Sequence, residues 1–317
     1  MTPFSSPTPS RRIITTQDFS RGAAYVDGAF VPIGDARISV LDWGLTRSDA
    51  VYDVVHVVDG AFFRLQAHLD RFRRSMAMRR MDVGMTNCEI RCNLHEVAAL
   101  SGLRDAYVAM VALRGRPRIY GSRRPADCQN HLVTYAIPWV DVVPKEVQER
   151  GASLLIADVP RVPDASVDPT VKNYQWNDLT TGLFQAHDEG FDSVVLCDAD
   201  GYVTEGAGFN IFSVWNEHVW TPDHGCLPGI TRATVLELCT ELGIPFSVGP
   251  LRRAELESSD EAFITSSGGG IIRVRQINDK TLPQAEESPV FKRLRQAYWD
   301  AHRNPRFHEP VGYHAYA

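Results

Sequence analysis

Two short apolar runs meet at Asp27-Gly28 in AAYVDGAFVPI, and the same device returns at Asp59-Gly60 in VYDVVHVVDGAFFRL. Both positions of an Asp-Gly pair tolerate positive φ, so each pair predicts a tight turn between antiparallel strands. Two such hairpins early in a chain argue against βαβ winding. Between them, ARISVLDWG alternates polar and apolar positions and reads as further strand. Helical spacing follows: Leu69, Phe72 and Met76 within Gln66–Met81, then Ile90, Leu94 and Val97 within Cys88–Leu100. Strand patterns resume in AYVAMVAL and HLVTYAIPWV. The segment between these two holds Arg114, Arg116, Arg118, Arg123 and Arg124 among Gly and Pro, which predicts an exposed loop.

The stretch WVDVVPKEVQERG reads as a joint. Beyond it come the strand ASLLIADV, an irregular stretch to Lys172, and a helix from about Asn177 to Gly190. SVVLCDADGYVTEGAGFNIFSVW is a hairpin with a glycine-rich second arm. A helix opens at Thr231 and stops at Gly243, and the strand EAFITSS runs into Gly268-Gly269-Gly270. A last helix covers about Pro289–His302. The expected architecture is two α+β halves rich in antiparallel strands: an arm over 1–22, a small domain over 23–140, a linker over 141–150 and a larger domain over 151–317.

With 317 residues, 44% apolar and 23% charged, the composition is that of a globular enzyme. A net charge of −6 argues against a nucleic-acid partner, and no apolar run is long enough to predict a membrane span. The six cysteines contain no C-x-x-C pair, and Cys88 and Cys92 read as core or half-buried thiols on a helix. The opening MTPFSSPTPSRR lacks an apolar stretch, which predicts a cytoplasmic chain with reduced thiols.

Four features carry chemistry: Arg71, Lys172, Glu205 and Cys226–Arg232, CLPGITR. Singly, each has a bland reading, such as a solvated charge or a turn. Together they describe one ligand. Thr231 is expected to cap a helix whose amides and dipole form an anion site, with Gly229 and Ile230 letting the backbone approach a phosphate. Arg71 can add a bidentate clamp, and Thr265, Ser266, Ser267 and Gly268 offer further donors. Glu205, followed by Gly206-Ala207-Gly208, leaves room for a flat ring, and Lys172 supplies an amine. Phosphate, ring nitrogen and aldehyde are the handles of pyridoxal phosphate.

The series SDAVYDVVHVVDG, FRLQAHLDRF, VDPTVKNYQWNDL, TEGAGFNIF, LPGITR and FITSSGGG resembles the class IV (fold type IV) pyridoxal-phosphate aminotransferases from about Ala23 to Trp299. VDPTVKNYQW followed by Asn-Asp-Leu looks most like their (R)-selective amine transaminases. The resemblance implies a two-domain D-amino-acid-aminotransferase-like fold with a larger C-terminal pseudo-barrel domain. It makes Lys172 the Schiff-base lysine and Glu205 the partner of the pyridine nitrogen. Arg71, Gly229, Ile230, Thr231, Ser266 and Ser267 become phosphate-side contacts, Leu227 packs on the ring, and Trp176 lies near the cofactor. Tyr52, Val54, Arg47 and Gly268 would meet the substrate, with Arg118 on the arginine loop trapping its carboxylate and Arg116, Arg123, Arg124 or Arg47 as the alternatives for that role. Arg47 stands where that subgroup commonly has His. A homodimer or larger assembly is implied.

The reaction expected is transfer of an amino group from an (R)-amine or D-amino acid to a keto acid such as pyruvate. Transamination of branched-chain L-amino acids and an aminodeoxychorismate-type lyase are alternatives on the same fold, and fold does not choose among them.

Overall fold

The computed structural model describes residues 18–313, so most of the expected N-terminal arm lies outside the described residues. Two compact units are present: one runs to Trp139 and takes up the chain again from Glu309, and the other is Val140–His308.

In the first unit, β1 (Ala23–Val26) and β2 (Ala29–Pro32) form one hairpin, and β3 (Ala50–Val58) and β4 (Ala61–Phe63) the other. Asp27 and Asp59 both sit at φ 51°, and Gly28 and Gly60 at 82° and 81°, the left-handed pair that such a turn requires. The alternating run between the hairpins is not a strand. Asp42 accepts the Gly44 and Gly115 N–H groups and meets His131 Nε2, and the chain makes the one-turn helix α1 (Trp43–Thr46) instead. Next come α2 (Leu65–Met78) and α3 (Asn87–Ser101), the latter opened by a reciprocal Thr86–Glu89 capping box. α2 stops short of Met81, where Arg80 turns left-handed at φ 50°. Strands β5 (Ala106–Leu113) and β6 (His131–Pro138) complete an antiparallel sheet in the order β4-β3-β5-β6-β1-β2. α2 packs on β3, and α3 on β6, β1 and β5. Cys88 and Cys92 are exposed on α3 rather than in its core face, which Ile90, Leu94 and Val97 occupy.

The second unit opens with α4 (Lys145–Arg150) and β7 (Ala152–Ile156), followed by α5 (Asn177–Asp188). Strands β8 (Ser193–Cys197), β9 (Val203–Gly206), β10 (Asn210–Trp215) and β11 (His218–Thr221) precede α6 (Ile230–Leu242) and β12 (Phe246–Val248). Then come α7 (Arg253–Glu257), β13 (Glu261–Ser266), β14 (Gly270–Ile277), β15 (Lys280–Thr281) and α8 (Pro289–Ala301). The sheet runs β12-β11-β10-β13-β14-β7-β8-β9, with β15 beside β14. It is mixed: β7 lies parallel to both β14 and β8. β9, at one end, bends back to β10 through hydrogen bonds between Gly206 and Phe209, so the sheet curls on itself. A Cβ at Gly206 would lie 2.1 Å from the Phe209 ring, which is why the return needs glycine there. Leu154, Ile156, Val195, Ile211, Ile264 and Val274 fill the interior of this sheet.

The last strand, β16 (His308–Pro310), pairs with β4. The second unit therefore ends at His308, short of the expected run to the C-terminus.

Candidate active site

Glu205 lies on β9 and is 8% exposed. Its Oε2 accepts the Leu227 N–H at 2.9 Å, and its Oε1 accepts Arg161 Nη2 at 2.9 Å. Arg161 is pinned in turn by Asp178, 2.6 Å from Nη1 at the start of α5, and its Nε is buried without a hydrogen-bond partner among the described residues. Burial pushes the Glu205 carboxyl up; Arg161, the Leu227 amide and Lys172 pull the other way without cancelling it. Burial disfavours the charge of Arg161 as well, but Glu205 and Asp178 outweigh that and raise its pKa.

The segment CLPGITR is clamped from two sides. Glu205 holds the Leu227 N–H, and Asn210 Nδ2 on β10 donates to the Leu227 carbonyl at 2.9 Å. Gly229 is pressed onto the same asparagine: a Cβ there would stand 2.1 Å from Asn210 Oδ1. The helix cap differs from expectation. Gly229, in extended conformation, is the N-cap of α6, and its carbonyl accepts the Ala233 N–H; Thr231 is the second helical residue and is buried. No side chain caps this end, and no acidic residue stands in its first turn. The first amides of α6 and its positive dipole end are therefore directed out of the helix, the arrangement that receives a phosphate. Burial above all, and then the charge of Glu205, pushes the Cys226 thiol up to about 12, which disfavours its thiolate.

Lys172 sits in the irregular stretch before α5, half-buried, close enough for its charge to act on Glu205. Trp176 packs against the apolar cluster that includes Leu155, Leu179 and Ala207, and a Cβ at Gly208 would lie 3.5 Å from its ring. At the end of β13, Ser266 Oγ donates to the Gly208 carbonyl at 2.9 Å and accepts the Gly268 N–H at 3.2 Å. The Gly268 carbonyl accepts the Val142 N–H at 2.7 Å. Thr265 Oγ1, next to Ser266, is buried without a hydrogen-bond partner among the described residues. Ser267 is half-buried. The second unit thus gathers an amine, a buried carboxylate, an uncapped helix start and an orphaned hydroxyl. That set fits the handles of pyridoxal phosphate.

In the first unit, Arg71 on α2 is 4% exposed and grips Asp53 of β3 with Nε at 2.7 Å and Nη2 at 2.8 Å. His68 Nδ1 meets the same carboxylate at 2.8 Å. Burial alone would raise the Asp53 carboxyl, but Arg71 and His68 hold it well below the usual carboxylate range. Tyr52 and Val54 point to the opposite face of β3 from Asp53, since strand side chains alternate. They join an apolar cluster with Ala50, Ala109, Val111 and Leu113. Arg47 stacks on the Trp43 ring, 3.2 Å from its centroid. Arg118 is exposed on the loop after β5, held through its backbone N–H to the Asp127 carbonyl. Arg114, counted with that exposed loop, is buried instead, paired with Asp49 at 2.7 Å.

Sequence reasoning missed Arg161, Asn210 and Asp53. The signals were present. Arg161 is the sole arginine between Arg150 and Lys172, and Asp53 is an acid inside an apolar strand run. A buried carboxylate needs a cation and a buried arginine needs an acid, so each could have been sought as a partner.

The family described as Amino-transferase class IV matches residues 50–277. A putative branched-chain-amino-acid aminotransferase of Methanocaldococcus jannaschii is 32% identical over 279 residues, 87% of this chain and 95% of that protein. The branched-chain-amino-acid aminotransferase of Escherichia coli K12 is 27% identical over 283 residues, 87% of this chain and 91% of its own length. Among solved structures, a T.th. branched-chain amino acid aminotransferase with pyridoxamine 5′-phosphate superposes with a TM-score of 0.85 at 27% identity. The match covers 93% of this chain and 100% of that one.

Proposed function

Since the chain belongs to the class IV aminotransferases and its cofactor is pyridoxal 5′-phosphate, we propose that it transfers the amino group of a branched-chain L-amino acid to a 2-oxo acid. The observation that carries the chemistry is the tie between Glu205 and Leu227, which joins a buried carboxylate to the segment leading into an uncapped helix start. The substrate class is supported by the branched-chain aminotransferases that match nearly the whole chain. Tyr52 and Val54 belong to an apolar cluster on one face of β3, chemistry compatible with an aliphatic side chain.

When bound, the cofactor supplies the carbonyl that takes up the amino group and a ring that accepts electrons from the substrate carbon. The first amides of α6 and Thr231 would hold its phosphate, with Ser266 and Ser267 beside them and Arg71 as a further phosphate ligand. Leu227 would pack on the ring. Glu205 would meet the ring nitrogen, where a cationic N–H offsets the cost of burying the carboxylate. Arg161 would favour the ionised form of that carboxylate and orient it. Lys172 would bind the aldehyde carbon and, once released, carry the proton at Nζ between the substrate carbon and the cofactor carbon. Arg118 would receive the substrate carboxylate from its exposed loop.

A second reading, an (R)-amine or D-amino-acid donor, rests on VDPTVKNYQWNDL and must accommodate Arg47, which stands where that subgroup commonly has His. One screen separates them. Purified holoenzyme is mixed with L-leucine, D-alanine and paired (R)- and (S)-amines, and loss of the cofactor's visible band is followed. Bleaching by L-leucine is expected; bleaching confined to D-alanine and (R)-amines would replace the branched-chain reading by the second. Lys172→Ala should abolish turnover with every donor, and retained turnover would remove Lys172 from its role. We also propose a homodimer, which a monomeric mass in light scattering at full activity would contradict.

A further inference from the structure

Outside these residues, the second unit carries a cleft of about 480 Å³ lined by Lys145, Glu149, Arg273, Phe291, Lys292 and Arg295, a size suited to a small ligand. Four cations face it against the carboxylates of Glu149 and of Glu286, the latter 3.7 Å from Arg273 and almost fully exposed. Lys145 and Arg295 make no hydrogen bond or ion pair among the described residues. Lys292 and Arg273 spend their donors mainly on the backbone carbonyls of Glu286, Ala285 and Glu149.

The placement on α8 sharpens the imbalance. The N-terminal turn of a helix favours negative charge, yet α8 has no acidic residue there and carries Lys292, Arg293 and Arg295 in its first two turns. Glu261, buried beneath this end, accepts the Val290 and Phe291 N–H groups at 3.1 and 3.0 Å, and Glu286 and Glu287 directly precede the cap residue Ser288. Glu261 caps the helix from inside, so on the outer side only Glu149 and Glu286 stand against the four cations. Phe291 gives the cleft an apolar floor.

We propose that this cleft binds a compact polyanion, a small molecule bearing at least two phosphoryl or carboxylate charges. A multivalent anion relieves the mutual repulsion of the four cations and the conflict with the α8 dipole in one step, whereas a monovalent ion relieves only part of it. The site also reaches the glycine run. Gln148, on the same α4 turn as Lys145, donates to Asp141 Oδ1 and to the Val143 carbonyl at 2.9 and 3.0 Å. Between these two residues, Val142 holds the Gly268 carbonyl. An anion that draws α4 toward α8 therefore acts on the segment that fixes Gly268.

The test is isothermal calorimetry on the cofactor-loaded enzyme at constant ionic strength, with inorganic pyrophosphate and citrate as probes and chloride as the balancing ion. With the cofactor in place, its own phosphate position is filled and does not compete. Saturable binding of at least one probe is expected. It should weaken at least tenfold in Lys145→Gln/Arg295→Gln and stay within twofold in Arg74→Gln, a change at an exposed arginine on α2. Heat from pyrophosphate alone assigns a phosphoryl ligand, heat from citrate alone a polycarboxylate, and heat from both a site that reads charge. Both probed side chains are exposed, so the double variant is expected to fold; should its circular dichroism change, Arg295→Gln alone is compared, with at least a threefold loss expected. No saturable heat with either probe, or equal affinity in the cleft variants and the wild type, overturns the proposal.

Discussion

At the scale of single residues, the site is organised by who neutralises whom. Burial disfavours the charge of Glu205, and Arg161 opposes that effect at 2.9 Å. Breaking a buried pair by removing one partner costs about 3–5 kcal/mol, because the other charge is left behind. Arg161→Met should therefore push the Glu205 carboxyl further up. The acidic limb of the pH–rate profile for the amino-donor half-reaction should move to higher pH, and cofactor should be lost faster on dialysis. Arg161→Lys should restore part of both. A variant whose pH profile superposes on the wild type would reduce Arg161 to packing. Thr231 teaches the complementary lesson. Its type and position suggested a cap, but the cap is Gly229, and the reason lies on another strand: Asn210 stands where any Cβ at 229 would go.

At the scale of elements, α2 is fastened to β3 by one carboxylate shared between Arg71 and His68. The Asp53 pKa is depressed below its ordinary value of 3.8 in the folded chain. Its contribution to stability is thus complete above the unfolded value and lost as pH falls through the folded one. Asp53→Asn should speed hydrogen exchange in peptides covering residues 50–78 at pH 7, with the deficit against wild type shrinking as the pH is lowered toward 3. An equal deficit at both pH values would mean that the charge is not what matters. Elements set by local rules were readable beforehand: both Asp-Gly hairpins need nothing beyond two residues that accept positive φ. The parallel pairing of β7 with β14 and β8 was not, since partners so distant in the chain leave no local signature. ARISVLDWG misled for a related reason. Its alternation suits a strand, but Asp42 finds Gly115 and His131, far along the chain, and folds that stretch otherwise.

At the scale of the whole molecule, the lysine and glutamate of the proposed site were readable because their chemistry demands particular residue types in a particular order. The division of the chain was only partly readable, because the first unit is completed by residues from the far end. Glu309 anchors that return by pairing with Arg91 and with His95, the latter at 2.9 Å, and Val311 N–H bonds to the Gly60 carbonyl at 2.9 Å. A chain ending at His308 should show faster hydrogen exchange in β4 and at the Asp59-Gly60 turn, while β10 and β13 exchange as before. Unchanged protection of β4 would show that the returning strand is dispensable.

That returning strand has a consequence for the order in which the protein is made. A ribosome delivers β4 early and β16 last, with the whole of the second unit in between. Throughout synthesis of those residues, the outer edge of β4 offers unpaired backbone groups to any neighbouring strand, including that of another nascent chain. The edge is a mere three residues long, and its strand carries Ala61, Phe62 and Phe63, all buried in the finished fold. Shortness limits how firmly a wrong partner can hold while the proper one is still being translated.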